Sequence, residues 1–176
     1  MSERIVDRKK AIELVREIAA SYIRKNGKPP GILIAVGGTA MALHGVRDES
    51  EDVDLYVSVR EMESIATEIE ASSGYRIDVT SKTNLWGRID VWDIESDAVM
   101  MENMEIEGYY VDLAAISPET LFIVKASSMR EKDRNDLSVV LPLTSPEKIM
   151  ERFASLWTRQ DFFVRDESLV NILSKK

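Results

Sequence analysis

A glycine turn and a pair of carboxylates are the residues in this chain best suited to chemistry. Gly37-Gly38-Thr39 follows the short apolar run 31–36, and Asp52-Val53-Asp54 opens a second apolar run that ends at Val57. Neither glycine carries a Cβ, so the backbone can turn sharply there and let a ligand approach closely. With helix following the turn, the amides of Gly38 to Ala40 stand at a helix N-terminus, which suits a phosphate. Side chains alternate along a strand, so Asp52 and Asp54 point to one face, roughly 6–7 Å apart along the backbone. Carboxylates suit Mg²⁺, a hard ion usually held by one or two of them plus substrate phosphates. The combination points to Mg²⁺, with Mn²⁺ as the alternative ion, and to a nucleoside triphosphate (NTP).

The elements that must position these residues follow from pattern. Residues 31–36 read as a buried strand, Thr39 to Leu43 as one or two helical turns, and Asp52 to Val57 as the next strand. Before them, Glu3 to Asn26 reads as an amphipathic helix, with Ile5, Ile12, Val15, Ala19, Tyr22 and Ile23 at helical spacing and Asn26-Gly27 ending it. After them, Arg60 to Ser72 reads as a helix with Ile65, Ala66 and Ile69 inward, closed by Gly74. Tyr75 to Thr80 and Trp86 to Trp92 then read as strands, and both contain Arg-Ile-Asp-Val. Asp97 to Met104 reads as a short helix whose methionines fill core, and Glu105 to Ile116 as strand material turning at Gly108. Ser117-Pro118-Glu119 and Ser145-Pro146-Glu147 each start a helix, with Ser as N-cap and Pro at the first helical position. The first of these helices carries Lys125, with Lys132 further along it if it continues. From Ser145, Ile149, Phe153, Leu156 and Trp157 share a face. A second apolar set from Phe162 to Leu173 closes the core or forms a dimer or partner surface.

Composition narrows the classes. Of 176 residues, 44% are hydrophobic, enough to bury a core. There is no cysteine and one histidine, which argues against disulfides, thiolate metal sites, zinc enzymes and a Ser-His-Asp triad. No run reaches transmembrane length, so no membrane contact and a cytoplasmic location are expected. The net charge of −8 disfavours long nucleic acid unless positive charge is concentrated locally. A nucleotide held through metal ions is unaffected by that objection.

The ordered set Gly37-Gly38-Thr39, His44-Gly45-x-Arg47, Ser50-x-Asp52-x-Asp54 resembles the signature of the nucleotidyltransferase superfamily, the polymerase-beta-like fold. It looks most like AbiEii-type and related prokaryotic members. The resemblance implies an α+β fold, a small mixed β-sheet flanked by helices, over residues 1–140, with a C-terminal helical extension over 141–176. It implies transfer of an NMP from an NTP to a hydroxyl acceptor, either a small molecule or an RNA end such as that of tRNA. Asp52 and Asp54 would hold Mg²⁺. A third carboxylate on a later strand, catalytic and metal-binding, would be Asp90 in preference to Asp78. Gly37, Gly38 and Thr39 would cradle the β- and γ-phosphates through amides and the Thr hydroxyl. The run Lys125, Arg130, Lys132, Asp133, Asp136 resembles the family's later basic segment, which would turn Lys125 and Lys132 toward the triphosphate, with Asp133 and Asp136 as caps or cation partners.

Plainer readings stand beside these. The glycines suit any tight turn, Asp52 and Asp54 suit a solvated edge strand, and the Lys and Arg residues suit a solvated helix face. His44 reads as structural and Ser50 as a loop cap. Three functions are therefore in play: an active nucleotidyltransferase, including the toxin of a toxin–antitoxin pair; a catalytically weak nucleotide-binding module; and a protein-interaction subunit with an antitoxin or a second copy as partner.

Overall fold

The computed structural model describes residues 4–82, 84–85, 89–128 and 130–157. In chain order the elements are β1 (Val6–Asp7), α1 (Arg8–Asn26), β2 (Leu33–Ala35), α2 (Gly37–Leu43), β3 (Glu49–Ser50), β4 (Asp52–Val57) and α3 (Glu61–Ser73). There follow β5 (Arg76–Thr80), β6 (Asn84–Leu85), β7 (Ile89–Asp90), α4 (Val91–Asp97), β8 (Val99–Ile106) and β9 (Tyr109–Ala115). The chain then turns helical, with α5 (Pro118–Ser127), α6 (Glu131–Val140), a 3₁₀ turn at Leu141–Leu143 and α7 (Pro146–Trp157). The class is mixed α+β with C-terminal helices. The described residues fall into two compact units, one drawn from 1–82 and 98–116, the other from 83–97 and 117–176. Among the described residues no helix is long and apolar enough to cross a membrane.

The first unit is built on a five-stranded sheet in the order β5-β4-β2-β9-β8. β2 pairs antiparallel with β4 and parallel with β9, while β4 pairs parallel with β5. Alternation decides what β4 shows to each side. Val53, Leu55 and Val57 are buried on one face, and Asp52 and Asp54 take the other. α1 starts later than its apolar pattern suggests. Asp7 accepts a hydrogen bond from the Lys10 amide at 2.7 Å and caps the helix, so Val6–Asp7 is left extended and pairs with β3. Ile5 consequently lies outside the helix and is 57% exposed. α3 matches expectation, with Ile65, Ala66 and Ile69 buried and Gly74 left-handed at its end. Its Glu70 and Glu63 carboxylates accept from the Ile77 and Ser81 amides, at 2.8 and 2.7 Å, and so cover the outer edge of β5.

Residues 99–106 form a strand, not a helix. They pair antiparallel with β9 through a turn at Glu107-Gly108, both with positive φ. A register shift between Met100 and Glu102 interrupts the strand, and past it the side chains alternate, burying Met104 and Ile106 while Met100, before the shift, stays exposed. α1 is stitched to this hairpin by Arg8 and Arg24, which pair with Glu102 and Glu107.

In the second unit, α5 packs against α6 and α7 around Leu121, Phe122, Ile149 and Phe153. Ser117 caps α5 by accepting from the Thr120 amide at 3.1 Å. The Asp97 carboxylate receives Ser117, Thr120 and Arg152, which ties the end of α4 to the start of α5. The apolar set 162–173 lies outside the described residues, as does the Trp157 side chain.

Candidate active site

The turn after β2 packs directly against the paired carboxylates. The Val36 amide donates to the Asp54 carbonyl at 3.0 Å, so the pairing of β2 with β4 continues into the turn and sets Gly37 beside Asp54. Gly37 has φ +54°, and a Cβ there would stand 2.5 Å from Asp54 Oδ2. At Gly38 a Cβ would stand 2.5 Å from Ser50 Oγ, with an Arg47 guanidinium nitrogen 3.6 Å away. Both glycines are thus fixed by close approach of side chains from β3 and β4.

Thr39 is 1% exposed and clamps the two carboxylate residues through their backbone. Its hydroxyl donates to the Asp52 carbonyl at 3.2 Å and accepts from the Asp54 amide at 2.8 Å. This corrects the role expected for that hydroxyl. Buried and hydrogen-bonded on both sides, it positions β4 and does not present itself to a phosphate. His44 Nε2 donates to the Ile116 carbonyl at 2.8 Å, which fixes its tautomer and makes it the structural residue its position suggests. Ser50 lies within β3, paired with Val6.

The carboxylates differ in setting. Asp52 keeps 24% of its side chain exposed and has the Arg76 guanidinium 3.8 Å from Oδ2. Asp54 is deeper. Burial first, then the charges of Asp52 and Asp78, push its carboxyl up to about 7, and the Gly38 amide that donates to it pulls the other way. A hydrogen bond between the Asp52 and Asp54 carboxyls adds to the rise, because it favours a proton held between them. Two oxygen-donor groups this close, one of them partly desolvated, fit a hard divalent cation whose charge would replace that proton. Among the described residues no group of three or more acidic or imidazole side chains could hold a metal ion unaided. Such an ion would draw its remaining oxygens from substrate or water.

Pairing of β4 with β5 puts Asp78 directly opposite Asp54, and Arg76 opposite Asp52. In-register partners on parallel strands share a face, so Asp78 stands on the carboxylate face. Asp90 does not belong to that sheet. β7 is two residues long and pairs with β6 in a separate ribbon of the second unit, where a strand near the centre of the main sheet was expected. The Asp90 side chain lies outside the described part, as do Trp86 and Met129.

Lys125 and Lys132 do not share a helix. α5 ends at Ser127, and Ser128 is extended because its hydroxyl donates to Asp133 at 2.6 Å, at the start of α6. Lys125 is 6% exposed, its ammonium 2.8 Å from Asp133 and 2.6 Å from Asp136. Its charge is therefore held inside the second unit by the two aspartates, a correction to the phosphate-facing role expected of it. Burial would raise the Asp133 pKa, but hydrogen bonds from Lys125, Ser128 and Arg130 prevail and lower it to about 2. Lys132 is exposed on α6.

A signal for Asp78 was present in the sequence. Asp52-Val53-Asp54 and Arg76-Ile77-Asp78 are strands joined through a single helix, a connection that makes neighbouring strands parallel. A family model described as "Nucleotidyltransferase of unknown function (DUF6036)" matches residues 9–154, which run from α1 into α7. No curated protein matches the chain.

Proposed function

The chain belongs to the DUF6036 family of nucleotidyltransferases, and from that premise we propose that it moves an NMP from an NTP to a hydroxyl acceptor with Mg²⁺ bound at Asp52 and Asp54. The observation that carries this reading is the close approach of Gly37 to the Asp54 carboxylate, with Asp52 beside it on the same face of β4. It sets a backbone able to meet phosphates against oxygen donors able to hold the ion that accompanies them.

In this reading the acceptor oxygen attacks the α-phosphorus and forms a new P–O bond. The bond from the α-phosphorus to the bridging oxygen breaks, and pyrophosphate leaves with its electron pair. Bound Mg²⁺ supplies charge neutralisation for the triphosphate and for the leaving pyrophosphate. Asp52 and Asp54 hold the ion, and Thr39 fixes their backbone spacing. Gly37 and Gly38 let the phosphates approach the main chain. Asp78 takes the part expected of Asp90 and accepts the proton of the acceptor hydroxyl from beside Asp54. The motif resemblance to AbiEii-type enzymes extends the proposal to an RNA end as acceptor and to a toxin–antitoxin role.

The test is transfer of label from α-³²P-NTPs, each of the four in turn, to total RNA and to a small-metabolite pool. Label transfer by the wild type, lost in Asp52→Asn and Asp54→Asn, supports the reading. Transfer that persists in both variants refutes it.

A further inference from the structure

Arg76 sits on the carboxylate face without a place in the reaction just described. We infer that Arg76 reads a phosphate group on the acceptor, so that the acceptor hydroxyl belongs to a phosphorylated ribose. The inference rests on the nucleotidyltransferase reading and adds the chemical class of its second substrate.

Two elements flank β4. On one flank lies the β2–α2 turn, with Gly37 against Asp54 and Arg47 beside Gly38. On the other lies β5, the last strand of its sheet, with Arg76 opposite Asp52 and Asp78 opposite Asp54. If the β- and γ-phosphates take the glycine flank, the pyrophosphate leaves on that side. In-line displacement then brings the acceptor oxygen from the opposite side of the α-phosphorus, over β5. Asp78 and Arg76 are the side chains β5 offers on that face closest to Asp54 and Asp52.

The state of Arg76 suits that position. Its side chain is 62% exposed, and its approach to Asp52 Oδ2, at 3.8 Å, is an ion pair too long for a hydrogen bond. The guanidinium therefore keeps its planar fork of donors for a second anion while remaining beside the reacting groups. A fork of this geometry matches a phosphate at two points. The face is otherwise acidic, with Asp52, Asp54 and Asp78 on it. A phosphate entering over β5 past these carboxylates needs a cation there, and Arg76 is the cation that β5 supplies on this face. Two sources share this chemistry: a free nucleoside monophosphate, and the last nucleotide of an RNA 3′ end.

The experiment uses the full chain with Mg²⁺ and whichever of the four α,β-methylene NTPs binds best, at saturation. Calorimetry then compares adenosine, 5′-AMP and a trinucleotide RNA with a 3′-hydroxyl, in wild type, Arg76→Ala and Arg76→Lys. The expected result is that 5′-AMP or the trinucleotide binds wild type about tenfold or more tighter than adenosine. This preference falls to within about twofold in Arg76→Ala and is only partly kept in Arg76→Lys. Tighter binding of the trinucleotide than of 5′-AMP identifies an RNA end, and the reverse identifies a free nucleotide. If the analogue binds but adenosine does as well as both phosphorylated probes, or Arg76→Ala keeps the preference, the role of Arg76 is overturned and the nucleotide site stands. If no analogue binds with Mg²⁺, the nucleotidyltransferase reading falls and this inference with it.

Discussion

Asp54→Asn should stabilise the protein at alkaline pH while removing its metal site. Asp54 has its carboxyl raised from 3.8 to about 7 by burial and by the charges of Asp52 and Asp78. The folded state therefore favours the protonated form, whereas the unfolded chain ionises near 4. The contribution to stability is fully present below about pH 4, declines as pH rises through the window from 4 to 7, and is lost above it. The shift corresponds to a ceiling of about 4 kcal/mol, at about 1.4 kcal/mol per pH unit. Asn mimics the protonated acid. Its oxygen can accept from the Gly38 amide, its NH₂ can donate to Asp52, and it never ionises. Urea unfolding of both proteins at pH 8 and pH 4 measures the difference. The variant should be more stable by about 1–4 kcal/mol at pH 8, and the gap should shrink to under about 1 kcal/mol at pH 4. A variant less stable at pH 8, or a gap independent of pH, would refute the electrostatic account of this site.

Four further outcomes follow from the same geometry. Gly37→Ala adds a Cβ at φ +54° that meets Asp54 Oδ2, so stability should fall by about 1–2 kcal/mol and NTP-dependent labelling by at least tenfold, both read on purified protein. Thr39→Ser should keep the Asp52 and Asp54 backbone bonds and most stability, while Thr39→Val loses them and should cost about 1–3 kcal/mol in urea melts. Lys125→Met removes the ammonium that Asp133 and Asp136 share in a buried site, leaving Arg130 on Asp133, and should cost about 3–5 kcal/mol. Because Asp133 is lowered to about 2 in the fold, its share of stability is present above about pH 4 and is lost as pH falls through about 2, which acid unfolding monitored by circular dichroism reads directly.

Local chemistry made the centre of the site legible in the sequence. The glycine pair, the alternation of β4 and the serine caps of α5 and α7 are all decided by residues close in the chain. Register was not legible. Arg-Ile-Asp-Val occurs twice, and only the pairing of β5 with β4 shows that the first copy sets its aspartate, Asp78, opposite Asp54. The break between α5 and α6 was hidden as well. No glycine or proline marks it, and the chain turns because Ser128 and Arg130 bond to Asp133. The same network turns Lys125 into an internal ion pair, a consequence of tertiary burial that spacing along a helix does not reveal. The strand at residues 99–106 was obscured by methionines, which suit helix and sheet cores alike.

The central claim is that Asp52 and Asp54 together hold the metal that brings the nucleotide in. Calorimetry of each NTP with and without Mg²⁺, on the wild type and on Asp52→Ala/Asp54→Ala, tests it most directly. The account predicts binding that requires Mg²⁺ in the wild type and disappears in the double variant. Binding equal in the two proteins, or absent from both, would contradict it.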